Sequence, residues 1–137
     1  MTNLSLAESY VIKATKRLKI LPVLLAEEAY SDVVREAQEI VELALKGMLR
    51  QVGVDPPKWH DVGAIIEEHQ HLLPAGVRKE TPRLVHISKW LRKERELSFY
   101  GDIDFIPTEE YGKRDAQRAI RDANSTVRVV RKVVKAP

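Results

Sequence analysis

The chain has 137 residues and a mass of 15.6 kDa, with 44% hydrophobic and 31% charged residues and a net charge of +3. Its length predicts one domain, residues 1–137, with a buried core, and its composition is that of a folded, helix-rich soluble protein. The absence of cysteine excludes disulfides, thiolate metal sites and cysteine nucleophiles.

Hydrophobic periodicity predicts a first helix over about residues 4–26, in which apolar side chains recur every three or four positions and Pro22 introduces a bend. This segment lacks the basic-then-apolar pattern of a signal peptide. Its longest apolar run, ILPVLLA, is too short to cross a bilayer. We therefore expect a cytoplasmic protein with no membrane association.

A second helix is predicted over about residues 29–52, because its broad apolar stripe is typical of a helix buried in a bundle. The segment VGVDPPK ends it, since Gly53 suits a left-handed position after the last turn and the two prolines cannot continue a helix. A third, shorter helix is predicted over about residues 60–72.

The fourth helix is predicted to follow KET, with Thr81 as its N-cap and Pro82 at the first helical position, and to extend to about residue 97. The last helix is predicted to begin at Thr108, with Glu109 and Glu110 in its first turn. Because the connections are short, the fold class that we expect is all-α, an antiparallel up-and-down bundle of four to five helices.

The last helix has two distinct faces. Its predicted apolar face consists of Ala116, Ala119, Ile120, Ala123, Val127, Val130 and Val134. Beside it, mostly basic residues recur at alternating steps of four and three and form what we call the basic ridge: Arg114, Arg118, Arg121, Ser125, Arg128, Lys132 and Lys135. Residues 113–135 carry eight basic and two acidic side chains, so the rest of the chain is net acidic. This asymmetry suggests an acidic or nucleic-acid partner, although a solvated helix face gives the same pattern.

Motifs for cofactors and metals are missing from the sequence. There is no glycine-rich phosphate loop and no serine in a tight glycine-flanked elbow. On a helix, His69 and His71 would point to nearly opposite sides, so we do not expect them to chelate one ion. No cofactor and no metal are therefore expected.

Two segments resemble the HEPN family of small helical-bundle proteins. The first, REAQEIVELALKGMLRQVGVDPPKWHDVGAIIEEH, has Ala37 and Glu39 ahead of a Leu45-Lys46 pair, a double-proline break and then His60-Asp61. The second, RKERELSFYGDIDFIPTEEYGKRDAQRAIRDANSTVRVV, has an arginine-bearing helix end, a Tyr-Gly-Asp turn and a final helix entered through a tyrosine and an acidic residue. Together the two segments cover most of the chain.

The resemblance implies a homodimer with a cleft for nucleotide or RNA. In the family's ribonucleases an arginine is followed after four to six residues by a histidine, so that a guanidinium holds the phosphate and an imidazole transfers a proton. Here Arg92 and Arg95 are followed by Ser98, and no histidine occurs after His86. A serine hydroxyl cannot replace an imidazole as a base near neutral pH. The resemblance therefore implies a phosphate-binding site at Arg92, Arg95, Ser98 and Tyr100 that has no catalytic residue.

The resemblance also implies a partner, a separate minimal nucleotidyltransferase, for which Tyr100 is the candidate acceptor of a modifying group. Two alternatives stay open. One is an active metal-independent ribonuclease toxin that uses His86, and the other is a helical adaptor whose basic ridge is only a solvated face. Trp59 and Trp90 are interpreted as core or dimer-interface packing rather than as platforms for bases.

Overall fold

The structure is a computed structural model that describes residues 5–56, 58 and 61–135. The regular elements of this part of the chain are helical and contain no β-strand, which confirms the all-α prediction. A short 3-10 helix spans Gln70–Leu72. The α-helices are α1 Leu6–Arg17, α2 Ile20–Ala26, α3 Tyr30–Gln51, α4 Val62–Glu68, α5 Ala75–Arg78, α6 Thr81–Phe99, α7 Pro107–Glu110 and α8 Lys113–Val130.

Helix α3 lies at the centre of the bundle, where it packs against α1, α6 and α8. Its buried apolar residues cover about half of its circumference, a wide stripe: Val33, Val34, Ala37, Ile40, Val41, Ala44, Leu45, Met48 and Leu49. Together with residues of the surrounding helices they form one core cluster. The predicted second helix is thus confirmed almost to the residue, and the predicted apolar face of the last helix is likewise packed on the core.

The first predicted helix is divided in two, and the break is not at Pro22. Helix α1 begins at a capping box, in which Ser5 Oγ accepts from Glu8 N at 3.1 Å and Glu8 Oε1 from Ser5 N at 3.4 Å. The chain turns after Arg17, and Pro22 is the third residue of α2, where its missing N–H costs no intrahelical hydrogen bond. The predicted start at Leu4 lies outside the described residues.

The third and fourth helices begin differently from the prediction. Asp61 Oδ1 accepts from Gly63 N at 2.9 Å and caps α4, whereas the predicted start at His60 lies outside the described residues. Thr81 is not the N-cap of α6, because the preceding Glu80 already has helical backbone angles and Thr81 is the first helical residue. The prediction that Thr81 caps this helix was wrong, and its buried hydroxyl has no hydrogen-bond partner among the described residues.

The last helix starts five residues later than predicted. Pro107–Glu110 is a separate single turn, and the extended backbone of Tyr111 and Gly112 divides it from α8. Asp115 Oδ2 accepts from Gly112 N at 2.8 Å at the true start. The break lets the Tyr111 ring enter the interior, where its hydroxyl donates to Glu94 at 2.6 Å. Burial raises the pKa of the Tyr111 hydroxyl above its usual value, and the Glu94 carboxylate raises it further.

In the described ranges, no helix combines the length and the apolar character that a membrane-spanning segment needs.

Candidate functional site

The carboxyl-terminal end of α6 lies against the first half of α3, and arginines from both helices meet there. Arg95 Nη2 is 3.6 Å from Glu39 Oε1, and Arg35 Nη2 is 3.2 Å from the same oxygen. The Arg35 guanidinium also lies 5.0 Å from the centre of the Phe99 ring. We call Arg35, Arg92 and Arg95 the arginine cluster. Arg35 was missed by the sequence analysis, because its distance in sequence from α6 gave no signal that the two would meet.

Arg92 borders a small polar cavity between α3 and α6, which is also lined by Gln38, Glu42 and Ser88. Gln38 Nε2 donates to Glu42 Oε2 at 2.9 Å, whereas the buried Gln38 Oε1 has no hydrogen-bond partner among the described residues. The cavity volume of about 10 Å³ suffices for one water molecule and for nothing larger. A phosphate can therefore reach Arg92 and Arg95 only from their solvent-exposed side.

Ser98 does not share the surface position of the two predicted arginines. Its side chain is fully buried, and its hydroxyl donates to the backbone oxygen of Arg95 at 3.1 Å. A ligand at the surface of α6 cannot contact this hydroxyl without local unfolding. Ser98 is therefore removed from the expected set of phosphate ligands, and Arg92, Arg95 and Tyr100 remain.

Tyr100 lies just beyond the end of α6 and is 77% exposed. Its ring meets the Phe99 ring edge-on, with centroids 4.8 Å apart. The chain then turns at Gly101, which has a φ of +71°, and closes through two backbone hydrogen bonds between Asp102 and Phe105 at 2.9 and 3.0 Å. The turn holds Tyr100 on the surface with its hydroxyl accessible to a large partner.

His86 lies on a different side of α6 from the arginine cluster. Its Nε2 is 3.5 Å from Arg118 Nη2 of α8, whereas Arg95 contacts α3. His86 precedes Arg95 by nine positions on the helix, which corresponds to about 13 Å along the axis and roughly half a turn around it. His86 cannot act on a phosphate held by Arg95 of the same chain.

The basic ridge of α8 is not one continuous charged surface. Arg118 stacks over the Trp90 ring at 4.0 Å, and Trp90 Nε1 donates to Asp122 at 2.9 Å. Ser125 is buried and accepts a hydrogen bond from Arg83 of α6. Trp90 thus packs between helices as predicted, whereas Trp59 lies outside the described residues. The exposed cations that remain toward the end of the ridge are Arg121, Arg128, Lys132 and Lys135.

The two histidines after α4 are arranged differently from the helical prediction. His69 follows the last residue of α4 and His71 lies in the 3-10 helix, so their rings stack with centroids 6.4 Å apart instead of pointing in opposite directions. His69 Nδ1 is 2.9 Å from the backbone oxygen of Ile65. The described residues contain no group of three or more His, Cys, Asp or Glu side chains that could hold a metal ion.

Comparisons with known proteins agree with this architecture. The model of the HEPN domain family matches residues 7–133. A predicted toxin of Methanocaldococcus jannaschii is 24% identical over 140 residues, which cover 97% of this chain and 91% of the relative. The crystal structure of an archaeal HEPN homologue superimposes with a TM-score of 0.67 at 23% identity, covering 94% of this chain and 98% of the other. This structural likeness shows that the two proteins share a fold.

Proposed function

Because this chain belongs to the HEPN domain family, we propose that it is a non-catalytic member that binds the phosphate groups of a nucleotide or RNA through Arg92 and Arg95. The observation that carries the proposal is the contrast between positions on one helix. Both arginines are exposed at the end of α6, while the place where the resemblance puts the ribonuclease histidine is taken by the buried Ser98 or its neighbours. A phosphate can approach both guanidiniums from the solvent, and no histidine follows them in the sequence.

The charge balance of the arginine cluster supports phosphate binding. Arg35 and Arg95 share the single carboxylate of Glu39, while Glu42 is 3.5 Å from Lys46. A half-exposed ion pair with a separation of 3.6 Å contributes only about 0–1 kcal/mol. A phosphate that accepts two hydrogen bonds from a guanidinium binds more strongly than this, so it can displace Glu39 from Arg95.

We expect RNA binding to depend on salt through these arginines. In a fluorescence anisotropy titration with labelled single-stranded RNA, Arg92→Gln and Arg95→Gln should each weaken binding and flatten the slope of log K against log salt by about 0.7. Glu39→Gln should tighten binding, because it releases Arg95 from its carboxylate partner. Lys113→Gln, which removes the same charge at the start of α8, is the control.

A slope that stays unchanged in both arginine variants, or that changes equally in the Lys113 variant, would contradict the proposal. Binding that is insensitive to salt would favour the helical adaptor instead. Purified protein is expected to leave the RNA intact. If expression of this chain arrests growth and His86→Ala relieves the arrest, it is an active ribonuclease toxin, in agreement with the name of the Methanocaldococcus relative.

The exposure of Tyr100 favours a second role, as the acceptor for a separate minimal nucleotidyltransferase. In this reaction the tyrosine oxygen would attack the α-phosphate of ATP, and pyrophosphate would leave. Incubation of the protein, as the homodimer that the family implies, with its transferase and ATP should add the mass of one nucleotidyl group per chain. Tyr100→Phe should abolish the increase, whereas the buried Tyr111 should remain unmodified. An unchanged mass would show that Tyr100 is not the acceptor of a nucleotidyl group.

A further inference from the structure

An open groove of about 480 Å³ lies between the second half of α1 and the end of α8. We call it the α1–α8 groove, and the residues that line it are Thr15, Leu18, Asn124, Val127, Arg128 and Arg131. Neither the resemblance nor the proposed function assigns it a role. Arg128 is the one lining residue that the basic ridge included, and Val127 was predicted only as part of the apolar face of the last helix.

The two guanidinium groups of the groove lack carboxylate partners. Within the described ranges, neither Arg128 nor Arg131 has a carboxylate oxygen within 4.0 Å, and Arg131 Nη1 donates instead to the neutral Thr15 Oγ1 at 3.1 Å. No acidic residue lines the groove. This differs from the arginine cluster, where Glu39 already offsets part of the charge. The groove therefore carries two positive charges that are available to an anion.

The size and the polarity of the groove limit the ligands that fit. Pockets for small molecules commonly enclose about 300–1,000 Å³, so the α1–α8 groove can admit a nucleotide, which the cavity beside Arg92 cannot. The half-buried Leu18 supplies an apolar surface for a flat ring or a sugar. Asn124 Nδ2 donates to the Ile120 oxygen at 2.9 Å, which leaves its side-chain oxygen as an acceptor for a ligand donor.

We propose that the α1–α8 groove is a phosphate-binding site for a nucleotide, separate from Arg92 and Arg95, in which Arg128 and Arg131 hold the phosphate. Residues three apart on a helix are neighbours, with Cβ atoms about 5–6 Å apart, so both guanidiniums can contact one phosphate. The two guanidiniums together carry two positive charges on planar donor groups. This arrangement matches the charge of a phosphate better than it matches the single charge of a carboxylate. The base or sugar lies on Leu18.

Arg128 lies in the last turn of α8 and Arg131 is the residue that follows the helix, so both can interact favourably with the helix dipole. A role limited to the dipole predicts that their removal changes the melting temperature and leaves ligand binding unchanged. The phosphate site predicts a change in binding. Measurement of both quantities on the same variants therefore separates the two explanations.

The test compares two probes, ATP as a free nucleotide and a labelled single-stranded RNA, on the full chain. Arg128→Gln should weaken binding about tenfold, as expected for one charge-assisted hydrogen bond, and Arg128→Gln/Arg131→Gln should weaken it further. The double variant should flatten the salt slope for RNA by about 1.4, which corresponds to two phosphate contacts. Lys113→Gln/Arg114→Gln removes the same charge about 24 Å away on α8 and should leave binding unchanged.

Weakened binding of both probes supports a site for free nucleotide, and weakened binding of RNA alone supports a site for the backbone of a strand. Unchanged binding of both probes would overturn the proposal that the α1–α8 groove binds phosphate. Equal weakening in the Lys113/Arg114 control would overturn it as well. Arg128 makes no ion pair or hydrogen bond with the described residues, so Arg128→Gln remains informative if loss of the Arg131 bond to Thr15 affects folding. The Arg92 and Arg95 variants test the proposed function independently of the groove variants.

Discussion

Replacement of Gly101 by Ala is expected to destabilise the protein by about 2–5 kcal/mol, the sum of a left-handed backbone cost and an overpacking cost. Gly101 has a φ of +71°, which side-chain-bearing residues rarely adopt. A Cβ at this position would overlap the backbone oxygen of Phe105 and lie 2.5 Å from Pro107 Cδ. Neither neighbour can rotate away, because one is backbone and the other is a ring.

Substitutions at two further glycines distinguish the backbone cost from the overpacking cost. Gly53 also has a positive φ, +86°, but nothing lies within 4 Å of a Cβ there, so Gly53→Ala should cost only about 1–2 kcal/mol. Gly76 has neither restriction, and Gly76→Ala should be neutral or stabilise by about 0.4–1 kcal/mol. Urea unfolding of the three variants measures the order. A Gly101 variant that is no less stable than the Gly53 variant would show that the turn relaxes freely.

Substitution of Ser98 by His, which restores the family's ribonuclease pattern, is expected to destabilise the fold by about 2–4 kcal/mol and to produce no RNA cleavage. An imidazole is much larger than a hydroxymethyl group, and Ser98 is fully buried. The substitution also removes the hydrogen bond to the Arg95 backbone oxygen. The new ring would either strain the interior or force the end of α6 to open.

Lys93→His is the matched control, since it places the same ring at an exposed position of α6 that lies outside the family spacing from either arginine. Its unfolding free energy should stay within about 0.5 kcal/mol of the parent protein. Both variants are assayed by urea unfolding and by incubation with RNA. If Ser98→His unfolds like the parent and cuts RNA, this position faces the ligand and our interpretation of the site is wrong.

Much of the bundle could be predicted because α3 is unambiguous: a wide apolar stripe is followed by Gly53 and two prolines. The start of α8 could not. Thr108, Glu109 and Glu110 do give a real helix start signal, but the helix lasts only one turn. Insertion of the Tyr111 ring beside Glu94 is a tertiary contact, and no local pattern in the sequence encodes it.

Part of the candidate site could have been predicted from the spacing of apolar residues along α6. Ser98 follows Leu84 and Leu91 at steps of seven, so the buried face of α6 extends to it, and this signal was available in the sequence. The pairing of Arg95 with Glu39 depends on the approach of α6 to α3, which spacing alone cannot give. The same limit applies to the α1–α8 groove, because its two walls are far apart in the sequence.

The hydrogen bond between Arg131 and Thr15 joins residues separated by 116 positions. During synthesis on the ribosome, α1 emerges long before the end of α8, so a nascent chain has one wall of the groove without the other. Both walls of the α1–α8 groove are therefore present together only in a chain that already includes the end of α8.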